Sequence, residues 1–315
     1  MKIVIPDDYQ DAVRHLSCFD TLAGHEVVIL NDTASDLNAQ AERFADAEAL
    51  VLIRERTRIT AELLELLPQL RVISQTGRGT SHIDLDACRQ HGVEVLAGKG
   101  SPHAPAELTW ALMMAAMRNL PQEVENLKAG RWQCTLGQGV RGRTLGIFGY
   151  GKIGTLMARY AQAFEMPVLV WGREGSRTRA RDAGLEVAAS REDLFERADV
   201  VSLHLRLNDE TRGIIGREDL ARMKSSALLV NTSRAELIVE GALEEALRLG
   251  RPGKAAVDVF EQEPLTTHPL LHDPRVVATP HLGYVEKDSY ELYFSTAFSN
   301  LMAFANGEPV TTVES

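Results

Sequence analysis

The chain of 315 residues is 44% hydrophobic and 25% charged, the composition of a globular protein with room for two cores. Its formal net charge of -10 excludes a broad basic face, so no nucleic-acid partner is expected, although a small anion is compatible with a locally positive pocket. Cys18, Cys88 and Cys134 are widely spaced and form no Cys-x-x-Cys pair, which argues against a disulfide framework and a zinc site and fits a reducing cytoplasm.

The opening "MKIVIPDDYQ" turns acidic after five residues and reads as a first strand rather than a signal peptide. The runs "HEVVIL", "ALVLI", "RVIS" and "VEVL" follow, with amphipathic stretches such as "TAELLELLPQL" between them. This alternation predicts a parallel sheet wound with helices.

After residue 100 a helix is expected over 104–119, apolar nearly all round and therefore buried on several sides, either in a core or at a subunit interface. Its apolar core, "LTWALMMAAM", is about half the roughly 20 residues that a membrane span needs, so no membrane partner is expected. A second strand series then begins: "TLGIFG", "PVLVW", "DVVSLH", "ALLVNTS" and "KAAVDVF". From about 286, Tyr290, Phe294, Phe298 and Leu301 recur at helical spacing, and Gly307 ends the pattern. This tail is expected to pack back on the first domain and make it discontinuous.

"GYGKIG", residues 149–154, stands between a strand and a helix expected over 151–165. Gly149, Gly151 and Gly154 have the spacing of a dinucleotide-binding turn, with Lys152 and Ile153 at the helix start where a pyrophosphate binds. An NAD site carries an acid about 20 residues further on, at the end of the next strand. Here Gly172 stands there, followed by Arg173, with Arg177 and Arg179 nearby. Without the carboxylate a 2'-phosphate is not repelled, and Arg173 offers it charge-assisted hydrogen bonds, so NADP is expected to be tolerated alongside NAD. In the opposing reading the arginines are solvated and Glu174 or the backbone holds NADH.

"NTSR" (231–234), "DVFEQEP" (258–264) and "TPH" (279–281) each follow a predicted strand, where active sites of open α/β sheets lie. Taken in order with GYGKIG, with the early "GRGTSHID" and with "PAELTWALM", these motifs resemble the D-isomer-specific 2-hydroxyacid dehydrogenases, in the short form without a regulatory domain. The resemblance implies two doubly wound parallel-sheet α/β domains: a Rossmann dinucleotide-binding domain, residues 100–285, inserted into a flavodoxin-like substrate domain made of residues 1–99 and 286–315. It also implies a homodimer.

The same resemblance implies hydride transfer between a nicotinamide cofactor and a small anionic 2-oxo or 2-hydroxy acid. Arg234 is then the carboxylate clamp, His281 the general acid/base and Glu263 its partner. Asp258, Thr232 and His204 fall on the cofactor side, and Arg78 and Gly79 on the substrate side. Each role fits the chemistry: imidazole transfers a proton near neutral pH, and guanidinium presents a planar fork to a carboxylate.

Departures from the family pattern are Ala235 after Arg234, Ser81-His82 in "GRGTSHID", Arg206 after His204-Leu205, and Tyr284, which narrows the pocket. In "LIRERTRIT" Arg54, Arg56 and Arg58 alternate around a strand end and are expected to share one side, where they could meet a phosphate. Two other functions share this architecture, a nucleotide-sensing corepressor and a formate dehydrogenase. The acid at Glu263 argues against the second, which carries Gln beside its His.

Overall fold

The computed structural model describes residues 1–313. The chain separates into two compact units, one formed by Met1–Ser101 with the segment from Val285 onward, the other by Pro102–Tyr284.

The first unit is built on β1 (Lys2–Ile5), β2 (Glu26–Ile29), β3 (Ala49–Leu52), β4 (Val72–Gln75) and β5 (Glu94–Leu96). They form a parallel sheet in the order β2-β1-β3-β4-β5. Ile3, Val4 and Ile5 and all of Ala49–Leu52 are buried, as strands covered on both faces must be. Short helices follow three of the strands. Asp36, Thr60 and Asp84 cap them, each side chain accepting a backbone N–H of the first turn. The C-terminal helix Lys287–Ala305 buries Tyr290, Tyr293, Phe294, Phe298 and Leu301 in this same unit. Ser74 on β4 donates its hydroxyl to the Ala297 carbonyl at 2.8 Å.

Two local expectations need correction. "TAELLELLPQL" gives helix only over Ala61–Glu65, because Pro68 restricts the residue before it and the chain leaves the helix early. The three arginines of "LIRERTRIT" lie past the strand end rather than along an extended strand. Strand β3 ends at Leu52 and Arg54 adopts φ +57°, so the extended alternation stops before the arginines begin. Arg54 lies over the Tyr293 ring, and Arg56 lies over Tyr9 and donates to the Asp7 carbonyl and the Tyr290 hydroxyl. Arg58 is exposed.

The second unit carries β6 (Leu145–Phe148), β7 (Val168–Trp171), β8 (Glu186–Val187), β9 (Val200–Leu203), β10 (Leu228–Asn231), β11 (Lys254–Val257) and β12 (Val276–Ala278). All are parallel, in the order β12-β11-β10-β9-β6-β7-β8, so the winding direction reverses between β6 and β9. Phe148, Phe195 and Leu229 belong to one core cluster, and Met113, Met157 and Val170 to another. The apolar helix runs over His103–Met117, two residues short of its expected end, because Asn119 takes φ +52° and starts the next helix, Leu120–Lys128. No described helix is long and apolar enough to cross a membrane.

Candidate active site

The reversal between β6 and β9 is where an open α/β sheet leaves a crevice. Gly149, just past β6, has φ +102°, and a Cβ there would stand 2.5 Å from the His204 carbonyl oxygen. A Cβ on Gly154 would stand 2.5 Å from the Gly149 oxygen. These two glycines let the turn fold under β9. Gly151 differs: nothing lies within 4 Å of its missing Cβ. It caps the helix Lys152–Ala163 without a side-chain cap and with no acid in the first turn. The amides of Lys152, Ile153 and Gly154 are first-turn donors with no intrahelical partner, at the positive end of the helix dipole. An open glycine cradle over such a helix end fits the pyrophosphate of a dinucleotide.

At the end of β7 the missing acid is structural as well as sequential. A Cβ on Gly172 would lie 3.1 Å from the Ser176 Cβ, and the Ser176 hydroxyl accepts the Tyr150 N–H at 2.7 Å. Arg173 is exposed and ion-paired with Glu210. Arg177 lies over the Trp171 ring at 4.7 Å and pairs with Glu174 at 2.5 Å, while Arg181 reaches the same carboxylate at 3.1 Å. Arg179 donates to the Tyr150 carbonyl. Of the three expected arginines, Arg173 and Arg179 are exposed and Arg177 is half-buried. The guanidiniums around Glu174 hold its carboxyl below the usual range.

His204 follows β9 and donates its N–H to the Phe148 carbonyl at 2.8 Å. Its Nε2 meets the Ser202 hydroxyl at 2.8 Å, while its Nδ1 is buried with no partner among the described residues. Burial pushes the imidazole down to about 4, so it is neutral at physiological pH. Toward the glycine turn it presents its carbonyl.

After β10, Asn231 organises the next loop: its amide donates to the Arg234 carbonyl at 2.8 Å and its carbonyl oxygen accepts the Ser233 N–H at 3.1 Å. Thr232 and Thr109 share a hydroxyl hydrogen bond at 2.6 Å, and Thr109 also lies 2.6 Å from the Pro105 carbonyl. Half-buried Arg234 reaches the Ser233 carbonyl at 2.6 Å. Ala235 opens a short 3-10 turn, Ala235–Leu237, which a residue with a Cβ adopts without strain.

Asp258, just past β11, is fully buried. It accepts the Thr279 hydroxyl at 2.6 Å and the N–H groups of Leu282 at 2.7 Å and Gly283 at 2.8 Å. Burial raises its pKa; these hydrogen bonds and the nearby His281 oppose the rise. The carboxylate thus holds the Thr279 side chain before His281 and the backbone after it, and His281 takes the left-handed φ +52°. His281 Nδ1 lies 2.5 Å from Glu263 Oε2, and Glu263 Oε1 is fixed by the Phe260 N–H at 2.8 Å. Tyr284 is buried and stands edge-on to the imidazole, with centroids 5.4 Å apart. With Nδ1 committed to Glu263, Nε2 is the nitrogen available for proton transfer.

The structure brings Arg234, Asp258, Glu263 and His281 into the second unit. Thr279 and Thr109 support them but were absent from the residues chosen by sequence. Thr279 stood within the "TPH" motif, whereas Thr109 was a lone hydroxyl in an apolar helix and gave no signal.

Arg78 and Gly79 belong to the first unit, on the loop after β4. Gln75 ties that loop to the one after β3, donating to the Arg54 carbonyl at 3.0 Å and the Gly79 carbonyl at 2.9 Å. Arg78 is exposed. No group of acidic, His and Cys residues suited to a metal occurs among the described residues.

Two open parallel α/β sheets, one carrying a glycine turn at its crossover and a carboxylate-held histidine past its last strand, define the class as a two-unit nucleotide-fold protein. Residues 110–283 match the family described as D-isomer specific 2-hydroxyacid dehydrogenase, NAD binding domain. The chain is 38% identical to a D-3-phosphoglycerate dehydrogenase of Methanocaldococcus jannaschii, over 90% of this chain and 53% of that protein. It is also 38% identical to a glyoxylate reductase of Aeropyrum pernix, over 80% and 78% of the two chains. A solved phosphoglycerate oxidoreductase from Vibrio cholerae o395 is similar with a TM-score of 0.95 and 53% identity, covering 98% of this chain and 99% of that one. The chain belongs to the D-isomer-specific 2-hydroxyacid dehydrogenase family. It spans about half the length of the first curated phosphoglycerate dehydrogenases it matches, at 53% and 50% of theirs.

Proposed function

We propose that the protein interconverts a small 2-oxo acid and its 2-hydroxy acid using a nicotinamide cofactor. The observation that carries this reading is the His281–Glu263 pair at 2.5 Å, on a turn pinned by buried Asp258, in the same unit as an open dinucleotide turn.

The cofactor's nicotinamide supplies the hydride when bound. Gly149, Gly151 and Gly154, with the amides of Lys152 and Ile153, hold its pyrophosphate; Thr232, Asp258 and His204 are assigned to the same ligand's surroundings. In the reductive direction His281 Nε2 delivers a proton to the 2-oxo oxygen, and in the oxidative direction it takes the proton back. Glu263 holds the ring so that the same nitrogen always faces the reaction. Arg234 clamps the substrate carboxylate and its positive charge favours the developing alkoxide. Within the first unit, Arg78 and the Gly79 amide are the groups suited to an acid. Arg173, exposed beside Gly172, exchanges Glu210 for a 2'-phosphate, so NADPH is tolerated alongside NADH.

The test is the loss of reduced-nicotinamide absorbance on mixing the protein with NADH or NADPH and glyoxylate, hydroxypyruvate, phosphohydroxypyruvate, pyruvate or phenylpyruvate. Turnover with at least one acid is expected. Tight cofactor binding without turnover of any of them would defeat this reading and favour a nucleotide-sensing role.

A further inference from the structure

We propose that Thr109 is a positioning residue for the nucleotide crevice: it fixes the Thr232 hydroxyl as a hydrogen-bond acceptor, and the group that Thr232 then takes is the amino group of the nicotinamide carboxamide. The inference rests on the reading above, in which the second unit binds a nicotinamide dinucleotide.

The direction of the bond follows from counting protons. Thr109 is fully buried in the apolar helix His103–Met117, so no solvent competes for its hydroxyl. That hydroxyl lies 2.6 Å from the Pro105 carbonyl, one turn back along the helix, and a carbonyl only accepts. A hydroxyl carries one proton, so Thr109 has none left for Thr232 at 2.6 Å, and Thr232 is the donor of that bond. Thr232 keeps only lone pairs for any further group. Ser233, the next hydroxyl of the loop, gives its proton to the Leu203 carbonyl at 2.7 Å. Neither hydroxyl of the loop is therefore left to donate.

The strand order says which half of a dinucleotide meets this acceptor. The glycine turn after β6 takes the pyrophosphate, and β7, on one side of it, ends at Gly172, the place of the adenosine ribose. Strands β9 and β10 lie on the other side, so the loop after β10 falls to the nicotinamide half. The ribose hydroxyls of that half both donate and accept, and either polarity of Thr232 serves them. The carboxamide is different: its amino group only donates and its oxygen only accepts. An acceptor at Thr232 draws the amino group and turns the oxygen away.

The probes are NAD and its 3-acetylpyridine analogue, in which a methyl group replaces the amino group and the carbonyl stays. Calorimetric titration should give the wild-type protein an affinity for NAD about tenfold above that for the analogue. Thr109→Val keeps the branched shape but removes the acceptor of the Thr232 proton, and the preference should fall to about threefold or less. Thr109→Ser retains the hydroxyl and should keep the preference. Thr232→Ala should abolish it, and adding Thr109→Val to that variant should change the preference no further. A lower midpoint of denaturation in Thr109→Val with the preference intact would make the bond structural only and overturn the inference. Equal wild-type affinities for the two dinucleotides would overturn it as well, and either result leaves the oxidoreductase reading standing. If Thr109→Val does not fold, the preference in Thr232→Ala decides. No binding of either dinucleotide would defeat that reading and this inference with it.

Discussion

His281 can be tested without disturbing the rest of the second unit, because its ring is held by one carboxylate and one aromatic edge. His281→Ala should lower kcat by roughly 10²–10⁴-fold while the dissociation constant for NADH, read by nucleotide fluorescence, stays within a few-fold. Turnover near the wild-type rate would assign the proton to another group. His204 makes a separate prediction about stability. Its folded pKa of about 4 lies below the ordinary 6.5, so between those values the unfolded chain binds more protons than the folded one. Its contribution is complete above pH 6.5 and is lost as pH falls toward 4, by on the order of 3 kcal/mol. The difference in unfolding free energy between wild type and His204→Asn should therefore change across that window. Parallel pH curves for the two proteins would show that burial of the imidazole has no such cost.

At the scale of elements, the glycine turn separates folding from binding. Gly149→Ala puts a Cβ against the His204 carbonyl at a residue with φ +102°, and should cost about 2 kcal/mol or more, seen as a lower midpoint of denaturation. Gly151→Asp has space for its side chain, so the midpoint should hardly move. Its carboxylate would stand where the pyrophosphate is to bind, and NADH affinity should fall by about tenfold or more. Equal affinities in wild type and Gly151→Asp would show that the helix end is not the phosphate site. Much of this element was legible in advance, since GYGKIG together with its flanking strand and helix is a local pattern. The arginines after β3 were not. Alternation predicts a shared side only while the chain stays extended, and the left-handed turn at Arg54 is set by the Thr76 and Gln75 contacts from another strand.

For the whole molecule, the apolar helix His103–Met117 buries Ala106, Leu112 and Met113 but leaves Leu108, Ala111 and Ala115 on a less covered side. The helix and arm that follow expose Leu120, Val124 and Leu127, with Trp132 at 76% and Leu136 at 95%. A run of large exposed apolar side chains of this kind marks an association surface. We propose that it joins two copies of the chain, and sedimentation should give the mass of a dimer. The double substitution Trp132→Glu and Leu136→Glu should shift that equilibrium toward monomer. A wild-type monomer at micromolar concentration would defeat the proposal.

Sequence by itself determined the parallel α/β architecture and the position of the glycine turn, whereas Arg234, Glu263 and His281 were singled out by the resemblance of their motifs to a family. These depend on local periodicity, and on residue types whose chemistry survives any detail of packing. Tertiary structure alone decided what each charged group faces: Asp258 pinning the His281 turn, Arg177 lying on Trp171, and Glu55 and Arg54 resting on bare glycines. Those partners are distant in the chain or lie across a turn whose hand is set from outside. Pairing energy depends on distance and burial, and neither is written in the order of residues.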